Sequence, residues 1–429
     1  MSSVTLPAPK HTLTLNMGIF LALSVPFLLI IGRAASDIAM ILVSLLFLGQ
    51  SAMNRDWRWI RTPWFVTAVA ACLFMLVSGS LAEYNPTKAL KSGLLWLRFP
   101  IFTMAFSTWI LADSKARRYL LPMLAILLAA SSIDTIVQFV TGTSLTGHGL
   151  PTEPGRLTGP FKERMLIGTF IARLVFPALG LGMFYAYHQT DKKKYLFATF
   201  LLFALTGITI LLTGERAAFL LFGLSTLVFV ASSHNMRKTL LPAFAAIGVI
   251  LVITAFSVPV LRERLITKTI PIVANFSNSP YGVVWHNAFV AWKSSPVFGT
   301  GLNNFVPMCK AVGFKGGFRN ELAEWTELHC VRHAHNPYLE WLSELGVIGL
   351  AFFLGLIGTW WKQIKDNMVR FKDNMGLYYA HLGFAVGLIP FLWPLIPSLS
   401  FFSNWSASLF WWVLGLALSI RKENSYTNA

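Results

Sequence analysis

His329, His333 and His335 fall within seven residues, in the run His329-Cys330-Val331-Arg332-His333-Ala334-His335-Asn336-Pro337. Imidazole exchanges a proton near neutral pH, so this cluster suits a general base or a group that orients a substrate hydroxyl. The H-x-H step also invites a zinc reading, although no C-x-x-C or H-E-x-x-H frame accompanies it. Polar residues lining a membrane interface are the plainest alternative.

Cations make up the second set. Thr213-Gly214-Glu215-Arg216-Ala217-Ala218 is a tight turn between two apolar stretches. A charge at membrane depth is costly and usually functional. Arg216 opens a helix, where the dipole favours an anion, and a phosphate would relieve that conflict. An Arg216–Glu215 pair, or snorkelling to lipid headgroups, is the structural alternative. Gly155-Arg156-Leu157-Thr158-Gly159-Pro160-Phe161-Lys162-Glu163-Arg164 places three cations and two glycines ahead of a helix, which suits a pyrophosphate or a lipid headgroup equally. Arg98 and Arg173, inside apolar stretches, are further candidates unless acidic neighbours or carbonyls pair them. The run from Trp285 to Phe305 contains P-x-x-G-x-G after an amphipathic helix, and its glycines most simply serve backbone geometry.

These residues must be positioned by a membrane protein. Of 429 residues 55% are hydrophobic and 12% charged, with a mean hydropathy of +0.61. A soluble domain carries roughly a quarter charged residues and could not cover so apolar a chain. Stretches suited to spanning helices lie near 15–32, 35–50, 63–82, 92–112, 119–140, 165–187, 195–212, 215–233, 239–257, 338–360, 376–396 and 403–420. The expected fold is therefore an all-α polytopic membrane protein of about twelve transmembrane helices. The first stretch reads as a span, since no A-x-A-like cleavage site follows it.

The net charge of +17 has a topological explanation. With the N-terminus in the cytoplasm, alternate loops collect Arg55, Arg58 and Arg61; Lys115, Arg117 and Arg118; Lys192 to Lys194; Arg237 and Lys238; and Lys362, Lys365, Arg370 and Lys372. Lys10, Arg421 and Lys422 join them at the termini. The opposite short loops hold only Arg33, Lys88, Lys91 and Arg216. This is the positive-inside pattern with both termini cytoplasmic, and it removes the argument for nucleic acid. Residues 1–256 then form nine helices with an outer loop near 141–164. Residues 257–337 form a large outer loop with short helices lying on the membrane, and 338–429 form three helices and a short tail. Loops this long are usually functional. Cys309 and Cys330 fall together on the oxidising face, where they can form a disulfide; free thiols or buried small residues are the alternative. Cys72 falls in a helix and suits packing.

H-N-x-x-L-E-x-x-x-E-L-G-x-x-G-L, from His335 to Leu350, resembles the signature of the O-antigen ligase and polymerase superfamily. The G-E-R-A-A turn at Gly214, the W-x-x-A and P-x-x-G-x-G-x-x-x-F run from Trp285, and R-L-T-G-x-F from Arg156 resemble other parts of the same family in the same order. The resemblance extends from Arg156 onward and rests on the ordered set.

It implies a GT-C-like glycosyltransferase of the bacterial inner membrane, with its site on the periplasmic face and its large loop between helices nine and ten. The donor would be an undecaprenyl-diphosphate-linked glycan and the acceptor lipid A–core oligosaccharide, with no metal or other cofactor and membrane lipids as surroundings. His335 matches the family's essential loop histidine, and Arg216 the arginine that holds the diphosphate. Arg156, Lys162, Arg164, Arg264 and His333 are the further substrate-binding candidates. One departure stands out: relatives carry an arginine four residues before the loop tryptophan, and here that position is Tyr281. Arg262, Arg264, His286 and Lys293 are possible substitutes. A polymerase of the same superfamily is the nearest rival function, and a transporter of polysaccharide or lipid-linked substrate the next. A transporter would show broken helices at the bilayer midplane and inverted repeats.

Overall fold

The computed structural model describes residues 13–233, 237–311, 316–319, 325–328 and 330–419. Lys10, His329, Arg421 and Lys422 lie outside these residues.

Helices form at all twelve expected positions. Among the described residues, nine are long and apolar enough to cross a membrane: α1 Leu13–Ile31, α2 Arg33–Met53, α3 Pro63–Ser80, α4 Pro86–Ile110, α5 Ser114–Thr141, α6 Ile167–His188, α7 Lys192–Leu212, α13 Pro337–Arg370 and α14 Met375–Leu392. The remaining three differ from simple spans. Helix α8 (Arg216–Ser232) has 17 residues. Helix α9 (Arg237–Ser257) meets α10 (Pro259–Ala274) at a bend of 97°, because Pro259 cannot donate the hydrogen bond that would continue the helix. Helix α15 (Asn404–Leu418) has 15 residues and buries nearly all of them in protein.

Helix α6 is the axis of the fold, buried along almost its whole length. It approaches α14 closely through paired glycines. A Cβ at Gly180 would stand 2.6 Å from the Tyr379 carbonyl, and one at Gly383 would stand 2.4 Å from the Phe176 carbonyl. In an apolar solvent, where burial alone does not drive helices together, this contact of small residues lets backbones pack. Helix α15 is pinned by polar contacts: Thr103 Oγ1 donates to the Trp411 carbonyl at 2.8 Å, and Trp412 Nε1 to the Ala22 carbonyl at 2.9 Å.

Between α10 and α13 lie α11 (Pro280–Ser294), α12 (Phe305–Ala311) and a two-stranded antiparallel hairpin, β1 (Gly316–Arg319) with β2 (Trp325–Leu328). The hairpin is a small addition to the expected all-helical chain. A disulfide joins Cys309 on α12 to Cys330, just ahead of the histidines.

Helix α13 is broken at Gly346, whose φ of 68° is left-handed. The turn after α11 satisfies the backbone there: Thr300 N donates to the Ser343 carbonyl at 3.2 Å, Gly301 N to the Glu344 carbonyl at 2.8 Å, and Val347 N to the Pro296 carbonyl at 2.9 Å. Glu340 and Glu344, both buried, secure the first half of α13. Glu340 accepts from Ser400 Oγ at 2.5 Å and Phe401 N at 2.6 Å, and Glu344 from Asn303 N at 3.0 Å.

Candidate active site

The turn between α7 and α8 is held by its acid. Glu215, 7% exposed, accepts from Gly168 N at 2.8 Å, Thr169 N at 3.1 Å and Thr169 Oγ1 at 2.7 Å. It thereby caps the first turn of α6, where free N–H groups favour a carboxylate. Burial pushes the Glu215 carboxyl up, while the Arg156 charge and these donors oppose it. With Glu215 committed to α6, Arg216 donates instead from Nη1 to the Lys268 carbonyl at 3.1 Å.

Arg264 arrives on the same spot from α10. It is 7% exposed, and its Nε donates to the Gly214 carbonyl at 2.9 Å, Nη1 to the Pro154 carbonyl at 3.2 Å and Nη2 to Glu153 Oε1 at 2.6 Å. Gly214 (φ 64°) must be glycine here, because a Cβ would stand 2.0 Å from the Gly155 carbonyl. Arg156 donates from Nη2 to the Met165 carbonyl at 2.8 Å, and its buried Nε has no partner. Burial alone would raise the Glu153 carboxyl, but the Arg264 hydrogen bond and the charges of Arg264, Arg156 and Arg216 hold it below its ordinary value. Arg173, 1% exposed on α6, lies 4.0 Å over the Phe391 ring and reaches Ser406 Oγ at 3.3 Å.

His335 sits at a φ of 52°, immediately before α13. Asn336 caps that helix, accepting from Tyr338 N at 2.9 Å and Leu339 N at 3.2 Å, and Pro337 follows at the first helical position. The segment after α14 clasps the same point: Ser398 N donates to the His335 carbonyl at 2.8 Å, and Asn336 Nδ2 to the Pro394 carbonyl at 2.7 Å. His335 N donates to His333 Nδ1 at 3.1 Å, with ring centroids 4.1 Å apart. The Tyr281 ring stands edge-on to His335 at 5.9 Å. Burial drives both imidazoles down, His333 to about 3 with help from His335, and His335 against a backbone hydrogen bond at Ser398. Both rings are neutral at pH 7.

Arg156, Arg173, Arg216, Arg264, Tyr281 and His335 line one cavity of 320 Å³, together with Glu153 and Glu215. Four guanidinium groups against two carboxylates leave it a net charge of +2. A second cavity, of 840 Å³, takes Arg164, His333, Arg332, Arg33 and Arg98. Lys162 is exposed and lines neither. Of the four possible substitutes for the arginine absent at Tyr281, Arg264 lines the smaller cavity and Arg262, His286 and Lys293 do not. Arg98 is paired with Asp37 at 2.6 Å. Among the described residues no group of three or more His, Cys, Asp or Glu side chains could hold a metal ion, so the H-x-H spacing acquires no further ligands.

Glu153 and Glu215 escaped the sequence reading as site residues. The Arg264–Glu153 pair spans 111 positions, and no local pattern signals it. Glu215 was visible only as the neighbour of Arg216, and its partners lie 46 and 47 residues upstream.

Residues 198–354 match the family model described as O-Antigen ligase, a span that takes in Arg216, Arg264, Tyr281 and His335. No curated protein matches the chain. With its apolar helices and this match, the chain is a multi-pass membrane protein whose residues 198–354 are similar to the O-antigen ligase family.

Proposed function

We propose that the protein transfers an O-antigen glycan from undecaprenyl diphosphate to lipid A–core oligosaccharide, on the periplasmic face of the inner membrane. The observation that carries this reading is the single cavity in which a neutral His335 faces Arg156, Arg173, Arg216 and Arg264. Its net charge of +2 matches a diphosphate diester with one ionised oxygen on each phosphorus. The charge pattern of the loops favours cytoplasmic termini and an outward-facing cavity.

In the reaction the acceptor hydroxyl oxygen attacks the anomeric carbon of the donor sugar. The bond from that carbon to the diphosphate oxygen breaks, and its electron pair leaves with the lipid diphosphate. The hydroxyl proton passes to the free nitrogen of His335 and from there to water. Attack opposite the leaving group inverts the anomeric centre. The arginines stabilise charge as it develops on the departing diphosphate, and the burial of Arg173 and Arg264 strengthens that contact. Arg216 and Arg264 are held by backbone carbonyls and Glu153, so the cradle is organised before the donor arrives.

Lipopolysaccharide from a deletion strain tests the assignment. Loss of a ligase leaves bare core while carrier-linked polymer accumulates. Core bearing a single repeat would instead indicate a polymerase, and an unchanged profile a transporter or another polysaccharide.

A further inference from the structure

The 840 Å³ cavity has more than twice the volume of the 320 Å³ cavity, and the donor chemistry above leaves it unused. Its volume lies in the range of sites that enclose sizeable ligands. Buried aromatic rings, Trp96, Phe99 and Trp405, form part of its wall. Polar groups on the wall are already ordered. Arg98 Nη2 donates to Asn404 Oδ1 at 3.1 Å and Asn404 Nδ2 to Asp37 Oδ2 at 3.2 Å, closing a triad with the Arg98–Asp37 pair. Asn303 Nδ2 donates to Ser92 Oγ at 2.9 Å. Fixed amides and hydroxyls suit the equatorial hydroxyls of sugar rings.

Three further cations have a different status. Arg33, Arg164 and Arg332 are exposed at this cavity and have no acidic partner among the described residues. With Arg98 neutralised by Asp37, they leave the described lining residues a net charge of +3. A neutral saccharide would not need them, whereas phosphates or carboxylates would pair with them.

The two cavities adjoin. Leu166 and Leu399 line both, and the adjacent rings of His333 and His335 divide between them. Because His333 Nδ1 accepts from the His335 backbone, the proton of the neutral His333 ring lies on Nε2. That nitrogen can only donate. A hydroxyl that accepts from it turns its own proton outward, and His335 is the neighbouring base.

We infer that the larger cavity binds the acceptor as an anionic oligosaccharide, its phosphate groups held by Arg33, Arg164 and Arg332 and its reacting hydroxyl oriented by His333. The inference rests on the glycosyl-transfer reading and deepens it. His333 is a positioning residue, one step removed from the proton transfer.

The test uses the purified full-length protein, a diphosphate-linked glycan donor, and rough lipopolysaccharide either intact or stripped of its phosphates. Stripping is expected to raise the acceptor KM of the unaltered enzyme about tenfold or more, with donor KM unchanged. The combined Arg33→Glu, Arg164→Glu and Arg332→Glu change is expected to do the same to intact acceptor and to erase the difference between the two acceptors. Lys365→Glu, an exposed charge reversal on α13 away from both cavities, is the control. His333→Gln, which keeps an N–H, is expected to retain more turnover than His333→Ala. Equal KM for both acceptors, or a rise in donor KM in place of acceptor KM, overturns the inference. The comparison of acceptors on unaltered enzyme decides the matter even where the triple variant does not fold. Unaltered enzyme that transfers glycan to neither acceptor overturns the parent reading as well.

Discussion

The backbone N–H of His335 donates to Nδ1 of His333 at 3.1 Å, and this bond settles which atoms of the pair can take a proton. His333 cannot be protonated at Nδ1 without losing the bond. His335 keeps its side chain free of that constraint and faces the arginines. In the proposed reaction this bond would leave His333 to orient the hydroxyl and His335 to accept its proton.

The first prediction concerns pH. Burial lowers the pKa of His335 below the ordinary 6.5, so the ring gains its proton only at a pH below that value. As base it stays competent through neutrality, and activity is lost as the pH falls through the lowered value. The acid limb of kcat/KM, which reports the free enzyme, is expected below 6.5. A limb at or above 6.5 in a pH–rate profile speaks against His335 as the base.

Arg264→Ala removes three hydrogen bonds, to the Gly214 and Pro154 carbonyls and to Glu153. It also takes one cation from the cradle. A loss of kcat of roughly 10²–10³-fold is expected, the scale seen when one preorganised charge-stabilising donor is deleted. Arg264→Lys recovers little, because an ammonium cannot reproduce the fork that binds carbonyl and carboxylate together. Single-turnover rates with saturating donor measure both; activity near that of the unaltered enzyme in either variant removes Arg264 from the site.

Glu215→Ala leaves Gly168 N, Thr169 N and Thr169 Oγ1 without their acceptor at a buried helix end. The expected cost is about 2–4 kcal/mol. Glu215→Gln keeps one acceptor oxygen and should lose less. Thermal unfolding of the detergent-solubilised protein checks the order; equal melting temperatures for both variants and the parent would contradict the capping role.

Gly346→Ala places a Cβ 2.2 Å from the Val297 carbonyl, in a backbone conformation that L residues avoid. The break in α13 could not form as it stands, and Glu344 would lose its register with Asn303. A sharp fall in folded protein recovered from membranes is expected, read by size-exclusion chromatography. Gly358→Ala, on the same helix with open space around it, should be harmless.

Much of this was legible from the chain because the constraints are local. Each apolar run of sufficient length marks a helix, and Arg216 by its charge and His335 by the histidine cluster stand out beside such runs. Tertiary pairing was not legible. The turn 296–301 and the Gly346 break complete each other's hydrogen bonds across more than forty positions, as the Thr300–Ser343 bond shows. Helix α15 is apolar all round, and composition alone cannot separate burial in protein from exposure to lipid. The division of Arg156 and Arg164 between two cavities was equally hidden, since the loop that carries both turns through Gly159 and the left-handed Lys162.

In the proposed reaction His335 accepts the proton of an attacking hydroxyl beside an arginine-held diphosphate. Purified His335→Ala protein, supplied with carrier-linked glycan and rough lipopolysaccharide, tests it most directly. A fall in glycan transfer of roughly 10²–10⁴-fold with donor binding retained is expected. Transfer within a few-fold of the unaltered enzyme would contradict it.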